Sequence, residues 1–400
     1  MSALASRPRP WVRRMSGRDP DEEHRGSTPL ELLFDLTLVV AVARAASQLQ
    51  QALGQGHAGH ALAGYAVVFF SLWWAWVNFT WFASAYDTDD VIYRLITLLQ
   101  MAGVLVLAAG IPAAFKHFDF ATVLAGYIIM RLALVTQWLR AARSDPAGRA
   151  GTLRYAAGVT LVQLGWIGWI YLHGPAGLIG FAVLVAAELA VPAWAEFAGR
   201  PTPWHAGHIT ERYGLFTIIV LGEAIAAIAT AVQSALGQSR ASPSVLSAAA
   251  TGLLLVLALW WSYFKHSATE HIRQSLPATF VWALAHYLIF AAVAALGAGL
   301  QVVVATLAHS TRVTPAYAAF TVAIPVTTFI IVLGLLSSRM SSTPANLGLT
   351  LLTGVLILAT AAGTPVLTLP LAMGIMVVLT ALLLACHLIA ANRATAKNSG

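Results

Sequence analysis

His208-Ile-Thr-Glu211-Arg212-Tyr-Gly-Leu-Phe-Thr-Ile-Ile-Val-Leu-Gly-Glu223 opens on a histidine and two charged side chains, runs through ten residues without a charge, and ends on a carboxylate. The apolar segment it opens, 207–233, is long enough for a bilayer-spanning helix, which takes about 20 mostly apolar residues. Counted from Glu211, Glu223 lies about 18 Å further along the helix axis, beyond the midplane of a membrane. A charge at that depth needs a partner, a proton or a task. A second stretch has the same design: Glu31-Leu-Leu-Phe-Asp35 leads into Leu-Thr-Leu-Val-Val-Ala-Val-Ala.

The rest of the chain agrees with a membrane reading. Its 400 residues are 58% hydrophobic and only 10% charged, against roughly 25% charged in soluble domains. Twelve apolar segments are predicted to span: 30–53, 61–86, 91–112, 119–142, 151–173, 176–196, 207–233, 244–266, 277–307, 314–337, 344–362 and 365–391. Pro and Gly mark most boundaries, including Pro112, Pro146, Pro201, Pro243 and Pro315, while Pro192 and Pro325 fall where they would kink a span. The fold class is therefore an all-α polytopic membrane protein. The expected divisions are a disordered tail over 1–29, a first half over 30–196, a second half over 197–391, and a tail over 392–400.

The basic residues orient it. With the N-terminus in the cytoplasm, eighteen of the 23 Lys and Arg residues fall in inside segments. Only Lys116, Arg240 and Arg312 fall outside, and Arg44 and Arg131 lie within helices. That bias fits an even number of spans with both termini cytoplasmic. It also explains the net charge of +7 without nucleic acid as a partner; the lipid bilayer is the expected one. The single cysteine, Cys386, excludes an intrachain disulfide.

The chain also repeats. Glu31 aligns with Glu211 at an offset of 180, Trp73-Trp74 with Trp260-Trp261 at 187, and Gln100 with His286 at 186. An even number of spans separates the copies, so two parallel six-helix halves are expected, as in some transporters. The sequence sets no oligomeric state.

Several side chains are candidates for chemistry, each beside a plainer reading. Glu31 and Asp35 share a helix face at i and i+4, as do His208 and Arg212, with Glu211 beside them. Glu31 also suits ordinary helix-start chemistry after Ser27, Thr28 and Pro29. Arg44 sits at the repeat-equivalent depth of Glu223, so the two form an expected bridge; Glu223 is equally a functional carboxylate. Arg131 and Glu188 are an expected mid-membrane ion pair. Asp87, Asp89 and Asp90, with Arg94 one turn on, read as a cytoplasmic acidic cap or as a cation-attracting cluster. His208-x-x-Glu211 matches half of a carboxylate–histidine metal site, but the first span has no matching histidine. No metal, cofactor or enzymatic activity is expected. Span 2 is dense in Trp73, Trp74, Trp76 and Trp81, read as packing and interfacial anchoring.

Pro29-Leu-Glu31-Leu-Leu-Phe34-Asp35-Leu, Asp87-Thr-Asp-Asp90 with Arg94, and His208-x-x-Glu211-Arg212 running to Leu-Gly-Glu223 resemble the bacterial low temperature requirement A (LtrA) family. The likeness runs over nearly the whole chain after residue 25. Leu33 stands where that family often has Phe, and Arg44 where a neutral polar residue is common. The resemblance implies an integral, multi-pass protein of the bacterial cytoplasmic (inner) membrane, linked to growth at low temperature. Two functions follow as expectations: a permease for an ion or small solute, with carboxylates of the first and seventh helices along the path, or a non-transporting sensor or scaffold whose buried charges are structural.

Overall fold

The computed structural model describes residues 11–23, 25–237, 242–265, 275–340 and 346–398. Among these the fold is entirely helical, with twelve α-helices. In order they are α1 (Pro29–Gly54), α2 (Ala58–Tyr86), α3 (Val91–His117), α4 (Ala121–Ser144), α5 (Arg149–Trp169), α6 (Gly174–Phe197), α7 (Ala206–Gly237), α8 (Pro243–Phe264), α9 (Leu276–Leu307), α10 (Pro315–Met340), α11 (Leu347–Ala362) and α12 (Leu369–Asn398). Nine are long and apolar enough to cross a membrane by length and composition. The others are α1, α5 and α11. The first carries Glu31, Asp35, Arg44 and three glutamines, the second Arg149 and Arg154, and α11 has 16 residues. Large apolar side chains such as Leu178, Ile179 and Val183 of α6 face outward, as lipid-facing residues do.

Helix boundaries follow local chemistry. Asp90 caps α3 by accepting from Tyr93 N, and Ser242, Ser275 and Asn346 cap α8, α9 and α11 in the same way. The expected end of the third span at Pro112 is corrected. Helix α3 continues past it to His117 and stops at Phe118, whose φ is 53°. Near a helix end proline removes a single backbone bond, which packing outweighs.

The helices group into two compact units. Unit 1 comprises Met1–Ala41 and Ser71–Arg212, and unit 2 comprises Val42–Phe70 and Tyr213–Gly400. These units are drawn differently from the halves 30–196 and 197–391, because α1, α2 and α7 each run from one unit into the other. Within unit 1, α3 packs on α4, α4 on α5 and α5 on α6. Within unit 2, α9 packs on α10, α10 on α11, and α12 on both α8 and α11. Each unit has one helix pair in very close approach. A Cβ at Gly126 would collide with the α3 backbone at Leu107, and one at Gly299 with the α10 backbone at Thr321. Small residues let membrane helices pack where hydrophobic attraction gives no help.

The expectation of a disordered tail does not hold for residues 11–23 and 25–28. They lie along the face of unit 1 where α1, α3, α5 and α7 begin. Met15 is fully buried there. Arg18 N donates to Ala85 O, Arg13 N to Asp90 Oδ2, and Arg25 Nη2 to Ala83 O. The tail works as a strap because its polar groups match unsatisfied helix ends.

Candidate functional site: a buried charge ladder

The first turn of α1 is a capping box. Thr28 N donates to Glu31 Oε2 at 2.7 Å, and Glu31 N donates to Thr28 Oγ1 at 3.3 Å. This fixes one oxygen of Glu31 and leaves Oε1 free to face α7, where it lies 3.1 Å from His208 Nε2. One turn deeper, Arg212 Nη2 donates to Asp35 Oδ1 at 2.5 Å, and Trp76 Nε1 of α2 donates to the same oxygen at 2.8 Å. The i, i+4 spacing on both helices generates a two-rung ladder, Glu31–His208 and Asp35–Arg212. All four side chains have zero exposure.

Helix α7 has its own cap. His205 Nδ1 accepts from His208 N at 3.0 Å, while its Nε2 reaches the Glu22 carbonyl at 2.9 Å. That ring is therefore neutral, with its proton on Nε2. Ser84 Oγ accepts from His205 N, joining the strap, α2 and the start of α7. Glu211, expected beside His208 and Arg212, is exposed instead and accepts from Ser27 N at 3.1 Å. The buried stripe of α7 passes through 208 and 212 and leaves 211 to one side.

The three acids of the α2–α3 turn take separate roles. Asp90 accepts from Tyr93 N at 2.8 Å and pairs with Arg140. Burial alone would raise its carboxyl, but the Arg140 hydrogen bond and two backbone N–H groups outweigh that and hold it below the ordinary range. Asp89, with φ 47°, pairs with Arg94 at 2.6 Å. Asp87 accepts from Asp89 N at 2.9 Å and is buried. Burial first, then the nearby Glu31 carboxylate, push it up to about 6.

A second buried pair lies deeper in unit 1. Arg131 of α4 pairs with Glu188 of α6. Glu188 also accepts from Trp74 Nε1 at 2.8 Å, Tyr127 Oη at 2.8 Å and Trp166 Nε1 at 3.1 Å. The Arg131 guanidinium sits 5.0 Å from the Tyr127 ring centroid.

The expected Arg44–Glu223 bridge is not formed. Arg44 is exposed on α1, Glu223 is half-buried on α7, and no ion pair joins them. Both belong to unit 2, whereas the ladder lies wholly in unit 1. Among the described residues, no three of His, Cys, Asp and Glu gather as metal ligands. Sequence reasoning missed Trp76, His205 and Arg25. For His205 a signal existed, since it stands at the N-cap position before α7. For Trp76 the indole N–H was the signal, because a buried indole seeks an acceptor.

The family model described as bacterial low temperature requirement A protein (LtrA) matches residues 26–386. The uncharacterized protein RA0937 of Rhizobium meliloti (strain 1021) is 30% identical over 264 residues, 64% of this chain and 61% of that protein. The chain thus spans less than two thirds of the length of this curated relative. No solved structure matches.

Proposed function

The chain belongs to the bacterial low temperature requirement A family, and we propose that it works as an ion or small-solute permease of the bacterial cytoplasmic membrane, with the α1–α7 ladder as a switchable closure. In this reading both termini are cytoplasmic, all twelve helices lie in the membrane as two parallel six-helix halves, and the ladder marks the cytoplasmic end. Carboxylates of α1 and α7 serve the path. Glu31 and Asp35 hold the closure, Glu211 stands at the exposed end, and Glu223, half-buried further along α7, is a second exchanging carboxylate.

The observation that supports this most is the pairing of two acids on one helix with two bases on another at zero exposure. Ionisable groups within membrane helices commonly mark ion paths and proton relays. His208 gives one rung an imidazole, which can be neutral or charged, and Arg212 gives the other a fixed charge. A proton passed from His208 to Glu31 leaves both groups of the outer rung neutral, so that rung can open without stranding a charge, while the fixed charge of Arg212 holds the inner one.

The test is flux in reconstituted vesicles, with a pH-sensitive dye inside and gradients of protons, alkali cations or small solutes from about pH 5 to 8. Wild-type flux that falls about tenfold or more in Asp35→Asn, with the fold intact, is expected if the closure controls the path. Absence of wild-type flux across that range overturns the reading.

A non-transporting sensor or scaffold is the second reading, favoured by the saturation of Glu188 by four donors. It expects the ladder charges to affect stability alone.

A further inference from the structure

At the loop face of unit 1, a cavity of about 330 Å³ opens between the strap and the α2–α3 turn. Arg13, Arg14 and Arg18 line it from the strap, and Asp87, Thr88 and Asp89 from the turn. The strap backbone is fixed on both sides of it. At Arg13 the main chain donates to Asp90 and accepts from Arg140, at Arg18 it donates to Ala85 O, and Met15 between them is fully buried. A site built before its ligand arrives loses little to ordering.

The hydrogen-bonding capacity left over on these walls specifies a ligand. Among the described residues the Arg13 side chain has no protein partner, Arg14 uses Nε for Ser144 O at 2.8 Å, and Arg18 uses Nη2 for the Glu22 carboxylate at 2.7 Å. The Thr88 hydroxyl oxygen is buried and makes no hydrogen bond. On the turn, Asp89 is paired with Arg94 at 2.6 Å. Asp87 accepts from Asp89 N but forms no ion pair among the described residues. Arg25 lies within electrostatic reach of it, yet the hydrogen bond of that guanidinium goes to Ala83 O. Burial first, then the Glu31 charge, hold the Asp87 carboxyl up at about 6, so its ionised form is short of positive charge.

Two demands therefore meet in one small space. Guanidinium N–H groups suit the oxygens of a phosphate, and a carboxylate suits a primary ammonium with its three donors. An anion alone would face Asp87, and a cation alone would face Arg13. A ligand with both charges a few bonds apart answers both walls. The volume is at the small end of ligand pockets, roughly 300–1,000 Å³, which suits a headgroup without its acyl chains. The position indicates the source. The spanning helices α2 and α3 end and begin at this turn, at Tyr86 and Val91, so the cavity lies at the level of lipid headgroups. Trp11 and Val12, next to Arg13 in the strap, are 76% and 60% exposed, and an indole favours the membrane–water interface. We propose that the strap cavity binds the headgroup of an ethanolamine-type phospholipid, its phosphate on Arg13, Arg14 and Arg18 and its ammonium on Asp87. Thr88 donates its hydroxyl to a phosphate oxygen. The lipid ties the strap to the bilayer, in a permease and in a scaffold alike.

The test is native mass spectrometry of the full-length protein, released from detergent micelles with phosphatidylethanolamine, phosphatidylcholine or phosphatidylglycerol added at matched concentrations. Phosphatidylethanolamine is expected to bind about tenfold more tightly than either of the others, since choline offers no N–H donor and glycerol no positive charge. Arg13→Gln should weaken its binding, and Asp87→Asn should reverse the order in favour of phosphatidylglycerol. A gain for one lipid is not what a failure to fold would give. Equal binding of the three lipids, or a preference that survives Asp87→Asn, overturns the proposal. So does competition by soluble glycerophosphoethanolamine as strong as that by the lipid, which would assign the same chemistry to a soluble solute.

Discussion

The two buried charge clusters of unit 1 use the same chemistry to opposite ends. Around Glu188, one carboxylate receives an arginine, two indoles and a phenol, and its pair is nearly fully buried. In the ladder, Glu31 faces His208 and Asp35 faces Arg212 and the Trp76 indole, and Asp87, within electrostatic reach of Glu31, lines a cavity that opens to solvent. Neutral donors hold a charge permanently, since they cannot change protonation near pH 7. A histidine and a neighbouring acid of shifted pKa can. In the proposed reading, the saturated cluster is the fixed one and the histidine rung is the one able to change.

The comparison breaks most sharply if Glu188 proves dispensable. Glu188→Leu leaves Arg131 buried without a counter-charge and should cost about 3–5 kcal/mol by unfolding in detergent, with much of it recovered in the Arg131→Leu/Glu188→Leu double variant. Full stability in the single variant would show that the cluster is not fixed.

Asp87→Asn sharpens the ladder side with the opposite sign. The folded pKa of Asp87, about 6, lies above its ordinary 3.8, so the native state holds this proton more tightly than the unfolded chain. Burying the charged form therefore costs stability in full above about pH 6, and the cost fades as pH falls towards 4. Asparagine removes it, so the variant should be more stable by about 1–3 kcal/mol at pH 7, with the gain shrinking in acid. A gain independent of pH would detach Asp87 from this account.

The smallest effect is expected outside both clusters. Arg44→Gln, exposed and without an ion pair to Glu223, should change stability by about 0.5 kcal/mol or less. A larger loss would restore the bridge that repeat depth alone suggested.

Much of the scaffold was legible from apolar length. All twelve predicted segments coincide with helices among the described residues, because span length and turn residues are local properties. The strap was not legible. Its anchors are scattered backbone groups such as Ala83 O and Ala85 O, which leave no trace in composition. The ladder was half-legible. Spacing put Glu31 with Asp35 and His208 with Arg212, but which faces meet depends on helix packing. Depth matching therefore joined Arg44 to Glu223, while α1 instead turns Asp35 towards Arg212.

The ladder also carries a consequence for biogenesis. Asp35 and Arg212 are 177 positions apart. As chains emerge from the ribosome N-terminal end first, α1 is made long before its partner on α7 exists. Through the synthesis of five further helices, its two acids must wait protonated, hydrated or held by the insertion machinery. A chain halted after α6 would lack the basic partners of Glu31 and Asp35, which exist only once α7 is made. The rungs that join α1 to α7 in the finished protein would then mark completion of this part of the fold during its assembly.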